Sequence, residues 1–395
     1  MIPQERIDAS PAIVSNNVDE ILREYDMFRD QCPLAYTNSY GGYWLMTRYD
    51  DVKAAALDSE TFISSVRAVI PSDPRGLRRP PLNFDAPKHT PYRTALDRTL
   101  KPARVGRLTE RLERHAETLL APLLQKQSGD ICAEFAAPFA AWVETEWLNL
   151  TPDTAPRLAS TATAWVNAWR EMDSERTTHF STVLYDMARD LLADRRKHPR
   201  DPDEDPASSL LLERDNGQPL EEIHLVGCIR QSLVVGMVAP PIMLGGICSH
   251  LSKDEALQQQ LRESPSLIPA AVEEFVRLFS PYRGFARTVS REVVMHGQTV
   301  RPGVPISLTY SAANRDPAVF EEPHRFILNR PNIAMHMGFG RGRHRCVGKP
   351  LATMALQVAL RTLLKNTKMF RVNGELQFAR MPEMGIISCP LEFEV

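Results

Sequence analysis

The sequence predicts a mainly α protein with a small β-rich part, and three observations carry that reading. Apolar residues recur at helical spacing through long tracts at about 105–200, 223–251, 268–278 and 351–363. Strand signals are short: a hairpin pattern at 34–37 and 43–47 around the turn Ser39-Tyr40-Gly41-Gly42, and a terminal hairpin at 381–395. The 31 prolines exceed the roughly 5% background, so many turns and long connections separate the helices.

Length alone allows two or three domains in 395 residues. We read one unit, 1–395, with about 1–17 as a loose N-terminal arm. A net charge of -2 implies no nucleic-acid or polyanion partner. The six cysteines are scattered without a C-x-x-C pair, so they suggest cytosolic thiols, neither a disulfide framework nor a structural zinc site. The first residues form no apolar leader core and no run of about 18 apolar residues is apparent, which predicts a soluble cytoplasmic protein without a membrane partner.

Taken in order, 19–31 reads as a helix with Ile21, Tyr25 and Phe28 on one side. The Pro- and Arg-rich stretch 64–81 fits no regular element; it reads as a solvated loop, with Arg67 the one candidate to face a pocket. Asp85-Ala86-Pro87-Lys88-His89-Thr90-Pro91-Tyr92-Arg93 is either a helix-start turn bearing surface charge or a carboxylate site, since arginine makes charge-assisted bidentate bonds. Helical patterns over 105–200 break at Pro152, and Trp165 and Trp169, four residues apart, read as packing. A solvated linker follows at 198–206.

The run 223–251 predicts a central buried helix, interrupted in composition by Pro240 and Pro241. Neither proline can donate to the carbonyls of Gly236 and Met237, so a fixed kink with two free acceptors is expected. Those acceptors either hold water or a substrate group, or the prolines merely bend the helix. Glu274 and Arg277 follow at a spacing worth only about 0.2–0.5 kcal/mol on a helix surface.

The most informative stretch comes near the end: Phe339-Gly340-Arg341-Gly342-Arg343-His344-Arg345-Cys346-Val347-Gly348, followed by a helix with Leu351, Met354, Ala355, Val358, Ala359 and Leu363 on one face. Cys346 would stand at that helix's N-terminal end, where the dipole, free N–H groups and Arg341, Arg343 and Arg345 lower a thiol's pKa. Gly340 and Gly342 would let the loop approach something flat. The alternative is a buried structural cysteine in a turn.

The string F-G-x-G-x-H-x-C-x-G resembles the heme-binding loop of the cytochrome P450 family and matches at Phe339, Gly340, Gly342, His344, Cys346 and Gly348. By that resemblance the fold is the cytochrome P450 fold, the single domain is a heme-thiolate domain, the cofactor is heme b, and Cys346 is the axial ligand of its iron. The resemblance extends from about residue 18 to the end. It makes His89, Arg93, Arg287 and His344 the heme-carboxylate ligands. It implies a structural ion network of Glu274, Arg277 and Arg325, and it gives the segment 312–316 a structural turn. Val235, Phe285 and Ile386 become pocket residues, with a loop near Gly385 over the heme. Arg283 falls where the family is apolar; it either holds a substrate carboxylate or turns to solvent.

One departure matters for chemistry. Where the family carries an acid and an alcohol that organise proton delivery, this chain has Val238 and Ala239, followed by Pro240. Neither side chain can donate or orient a proton. The resemblance implies a monooxygenase that hydroxylates or O-dealkylates a small aromatic, terpenoid or natural-product substrate, with atypical proton delivery. Electrons would come from a separate ferredoxin and ferredoxin reductase docking on a cationic face near Arg341, Arg343, Arg345 and Lys349, and the enzyme would be a monomer. The alternatives are a peroxygenase, isomerase or coupling enzyme that does not need the pair, with Arg283 holding an acidic substrate in the first case, and a non-catalytic heme-based ligand sensor.

Overall fold

The apolar stripes become helices that bury them. Val18–Gln31 hides Ile21, Leu22, Tyr25 and Phe28, Ile268–Leu278 hides Ala271, Val272 and Phe275, and Lys349–Lys365 hides Leu351, Ala355, Val358 and Leu363. Pro152 falls between two helices, Ala137–Trp147 and Thr154–Arg170. With Thr109–Lys126, Ser174–Lys197 and the central segment they share one continuous apolar core. The computed structural model describes residues 2–71 and 78–395, so 72–77 of the Pro- and Arg-rich stretch lie outside the described residues.

The central segment is two helices rather than one kinked helix: Glu222–Val235 and Ala239–Lys253. Pro240 and Pro241 fall in the first turn of the second, where a missing N–H leaves no intrahelical bond unmade. The prolines therefore start a helix, and residues 236–238 form the break. By length and composition Glu222–Lys253 could cross a membrane, but 78% of its most apolar window is buried inside the protein.

The first hairpin forms as expected, with Leu34 opposite Met46 and Thr37 opposite Tyr43. It edges a five-stranded sheet that continues through Pro305–Leu308, Phe285–Val289 and Phe62–Ile63. The C-terminal strands do not form the expected hairpin with each other. Ile386–Ser388 pairs with Gln377–Phe378, whereas Pro390–Glu394 lies between Met369–Val372 and Ser128–Asp130. Asp130 Oδ1, accepting from the Cys389 amide at 3.2 Å, holds the chain at the point where it changes sheets.

Two further expectations are corrected. Residues 2–17 are no loose arm: Gln4–Asp8 and Pro11–Val14 are helices, and Ile7, Ala12 and Ile13 are buried against Tyr25, Phe28 and Tyr43. In the ion network, Arg277 makes the paired bonds to Glu274 at 2.7 and 2.8 Å, but the second guanidinium is that of Arg330, 3.1 Å from Glu274 Oε1. Arg325 supplies only its carbonyl, to Arg277 at 3.0 Å, and its side chain turns outward to Glu322. Arg330 prevails because its side chain enters from the inner edge of the connection, where it is buried beside Glu274.

Candidate active site

The helices enclose a cavity of about 1030 Å³. Its floor is the loop around Cys346. Gly342 (φ 71°) packs so closely that a methyl there would lie 2.1 Å from the Ala56 carbonyl, and Gly340 (φ 68°) also needs a left-handed backbone. The Cys346 amide donates to the Phe339 carbonyl at 2.7 Å, closing the loop under the sulfur. Cys346 is accessible because the space before it is the cavity, although it stands deep within the protein.

Its thiol does not behave as the loop composition suggested. Burial raises its pKa, and this outweighs the opposing pull of the Gly348 and Lys349 amides and of Arg93 and Arg345. Arg341 and Arg343 are turned elsewhere, to the Met335 carbonyl at 3.2 Å and to Ser59 at 3.2 Å. A metal cation opposite the sulfur would counter this burial and favour the thiolate.

Along one side runs a rim of two imidazoles and two guanidinium groups. His89 and His344 stand edge to face at 4.7 Å, and neither Nε2 has a hydrogen-bond partner among the described residues. Burial first, then the neighbouring His344, Arg93 and Arg343, lower the His89 pKa to about 3. Asp85 lies 3.7 Å from His344 Nε2, too far for a hydrogen bond. Burial would raise the Asp85 carboxyl, but His344 and the Ser64 and Ser65 amides hold it well below the usual carboxylate range. Arg93 donates to the Arg345 carbonyl at 2.6 Å, and buried Arg287 uses one N–H on the Ala286 carbonyl while lining the cavity. Two orphaned ring nitrogens and two guanidinium groups gathered beside a sulfur match a flat metal complex that carries carboxylates.

Opposite the floor lies the helix break. Gly236, Val238, Ala239 and Pro240 line the cavity, and Val235 beside them is 43% exposed. Phe285 lines it too, tilted against Tyr282 at 5.1 Å, and so does Arg67. At the far end stand Trp165 and Trp169, which pack as expected but also face the cavity; the Arg230 guanidinium lies 4.4 Å over the first ring and Arg380 5.8 Å over the second.

Two predicted pocket residues are elsewhere. Arg283 is 2% exposed and donates to the carbonyls of Ala12 at 2.8 Å and Ser15 at 2.6 Å, so it ties down the N-terminal segment and cannot receive a substrate acid. Ile386 and Gly385 face Cys132, Gly245 and Ile242, because pairing with Gln377–Phe378 turns them inward. Met381, Pro382 and Glu383 line the cavity in their place. Sequence reasoning missed Glu144, which is buried and lines the cavity. Its signal was present: Ala137, Ala140, Ala141 and Glu144 share the i, i+3, i+4, i+7 stripe, so an acid stands on an apolar helix face.

A thiol facing a large apolar cavity, rimmed by carboxylate-binding cations and held by a mainly α frame, defines a heme-thiolate protein. A family model described as Cytochrome P450 matches residues 247–392. The chain is 31% identical over 359 residues to mycinamicin IV hydroxylase/epoxidase of Micromonospora griseorubida, covering 89% of each. It is 28% identical over 353 residues to linalool 8-monooxygenase of Pseudomonas putida, covering 84% of each. The solved structure of CYP108D1 from Novosphingobium aromaticivorans shares its fold, with a TM-score of 0.88 at 24% identity over 100% of this chain and 99% of that one. The chain belongs to the cytochrome P450 family. It is a monooxygenase, an oxidoreductase acting on paired donors with incorporation of oxygen, and heme b is its cofactor.

Proposed function

We propose that this enzyme oxygenates a small, largely apolar organic substrate using electrons from a separate ferredoxin and its reductase, and that its protons do not come from the helix over the heme. The observation that carries the reading is one cavity lined both by Cys346 and by Val238 and Ala239. Cys346 would hold the heme iron, while His89, Arg93, Arg287 and His344 would bind the two heme carboxylates through charge-assisted hydrogen bonds. Phe339, Gly340 and Gly348 shape the loop that presents the sulfur. Heme b, when bound, supplies an iron that activates dioxygen with the thiolate pushing electron density toward it.

The rest follows from the chain's own residues. Phe285, Val238, Ala239 and Val235 exclude water and offer an apolar wall, and Trp165 and Trp169 offer flat faces at the far end. Such a lining suits an aromatic, terpenoid or other natural-product skeleton, which orients by shape more than by hydrogen bonds. Arg343 and Arg345 remain exposed on the thiolate side and suit an acidic electron carrier; Lys349 is partly taken up by Glu273 at 3.2 Å. We place the enzyme in the cytoplasm as a monomer. A peroxide-driven route through a substrate acid has lost its anchor, since Arg283 is committed to the N-terminal carbonyls.

The test is a spectral screen of the heme-loaded enzyme for a high-spin shift with neutral aromatics, terpenoids and carboxylic acids, followed by turnover with a ferredoxin pair or with peroxide. Shifts with neutral compounds and product from the ferredoxin pair are expected. Binding confined to carboxylic acids, with product from peroxide alone, would overturn the reading.

A further inference from the structure

We propose that Glu144 is the proton-relay residue of this cavity, reaching it from the neighbouring helix in place of the acid and alcohol missing at Val238 and Ala239. The inference rests on the monooxygenase reading above. Glu144 is 4% exposed, near the end of Ala137–Trp147, and it lines the same cavity as Cys346 and the helix break. Its carboxyl group lies directly against Gly236, where a methyl would meet Oε1 at 1.8 Å and Cδ at 2.8 Å. Gly236 immediately follows Val235, the last residue of one central helix, and stands two residues before Val238. The glycine is therefore the gap through which the carboxyl reaches the break.

Glu144 Oε2 is buried without a hydrogen-bond partner among the described residues. An unpaired buried polar atom is costly, and a native protein that keeps one is storing a function or an unseen partner such as water. Burial alone raises the carboxyl pKa to about 8, so the group is mostly protonated at neutral pH and can give that proton away.

The stoichiometry is simple. One dioxygen, two electrons from the one-electron carrier and two protons convert a substrate C–H bond to C–OH, and the second oxygen atom leaves as water. Glu144 gives its proton toward the departing oxygen twice per turnover and recovers one from solvent each time, so it is unchanged over the cycle. A space-filling role opposite Gly236 would be met equally well by glutamine, which separates the two roles experimentally.

Three heme-loaded variants test this: Glu144→Gln, Glu144→Asp and Gly236→Ala. The last keeps the acid but pushes the end of its flexible side chain away from the break. Carbon monoxide is bound to the reduced enzyme and photolysed, and infrared difference spectra are recorded. The wild type should show a change in the protonated-carboxyl stretch that shifts in D2O and is absent from Glu144→Gln. With the compound giving the strongest high-spin shift in the screen above, product per electron pair should fall at least about ten-fold in Glu144→Gln, with peroxide released instead. Glu144→Asp should recover part of the coupling, and Gly236→Ala should lose part of it. Wild-type coupling in Glu144→Gln, or no carboxyl change in the wild-type infrared spectrum, would overturn the proposal. If the wild type itself makes no product, the monooxygenase reading fails, and the infrared spectrum still decides whether Glu144 addresses the site.

Discussion

The two sides of the cavity are built on opposite principles. Below, Cys346, His89, Arg93, Arg287 and His344 form a dense polar constellation from a loop, a helix start and a strand. Above, Val238 and Ala239 are inert, and the one acid at the break arrives from another helix. Holding a charged cofactor requires several fixed cations, whose positions allow little variation. Moving a proton requires one protonatable group within reach, and any element bordering the cavity can contribute it. The lesson is that the two tasks constrain a fold unequally.

The largest effect that would break the comparison comes from the lower side. Replacing Cys346→Ala should abolish both turnover and the reduced carbon-monoxide band diagnostic of a thiolate ligand, while circular dichroism stays helical. Retention of that band would move the ligand elsewhere. Next in size is the buried ion network that supports the loop's surroundings. Glu274→Ala strands Arg277 and Arg330 without their carboxylate and should cost about 3–5 kcal/mol, read as a lower midpoint in urea. Arg325→Ala, by contrast, should cost less than about 1 kcal/mol, because only its backbone takes part.

On the upper side the sign of a pH dependence sharpens the contrast. The Glu144 carboxyl sits at about 8 when folded, against 4.5 for an ordinary glutamate. Above pH 4.5 the unfolded chain releases this proton while the folded one keeps it, so the wild type loses stability as pH rises, until the folded group also ionises near 8. The stability of Glu144→Gln relative to wild type should therefore climb across that window by a few kcal/mol and then level off. A difference that is flat with pH in paired urea titrations would mean that the carboxyl is already ionised in the folded protein.

A more local effect concerns Arg283. Arg283→Ala should cost about 2 kcal/mol by releasing two charge-assisted bonds to backbone carbonyls, and should expose the segment before Ser15 to limited proteolysis. Binding of carboxylic acids should not change.

How much could be read in advance follows from how locally each feature is encoded. The helices were legible because burial of one face leaves a 3.6-residue period, as in Ile268–Leu278 and Lys349–Lys365. The break at 236–238 was read as a kink, because two prolines in a run look alike whether they bend a helix or begin one. His89, Arg93, Arg287, His344 and Cys346, which the structure brings to one cavity, each stand in a short string that carries its own context. Arg283 and Ile386 were misplaced: Tyr282 and Phe285 line the cavity while Arg283 between them is drawn to the N-terminal carbonyls, and pairing with Gln377–Phe378 carries Ile386 away from the lining segment 380–383.

The family and its cofactor were legible in the sequence by itself, because a loop string such as Phe339–Gly348 is contiguous and its chemistry needs each of its members in place. Only the tertiary structure decided which of two arginines, Arg325 or Arg330, meets Glu274, what Arg283 holds, and which acid stands at the helix break. The physical reason is that side chains of equal charge are interchangeable along a chain but not in a packed interior. There, burial and a few ångströms of reach select one partner, as the absence of a side chain at Gly236 selects Glu144.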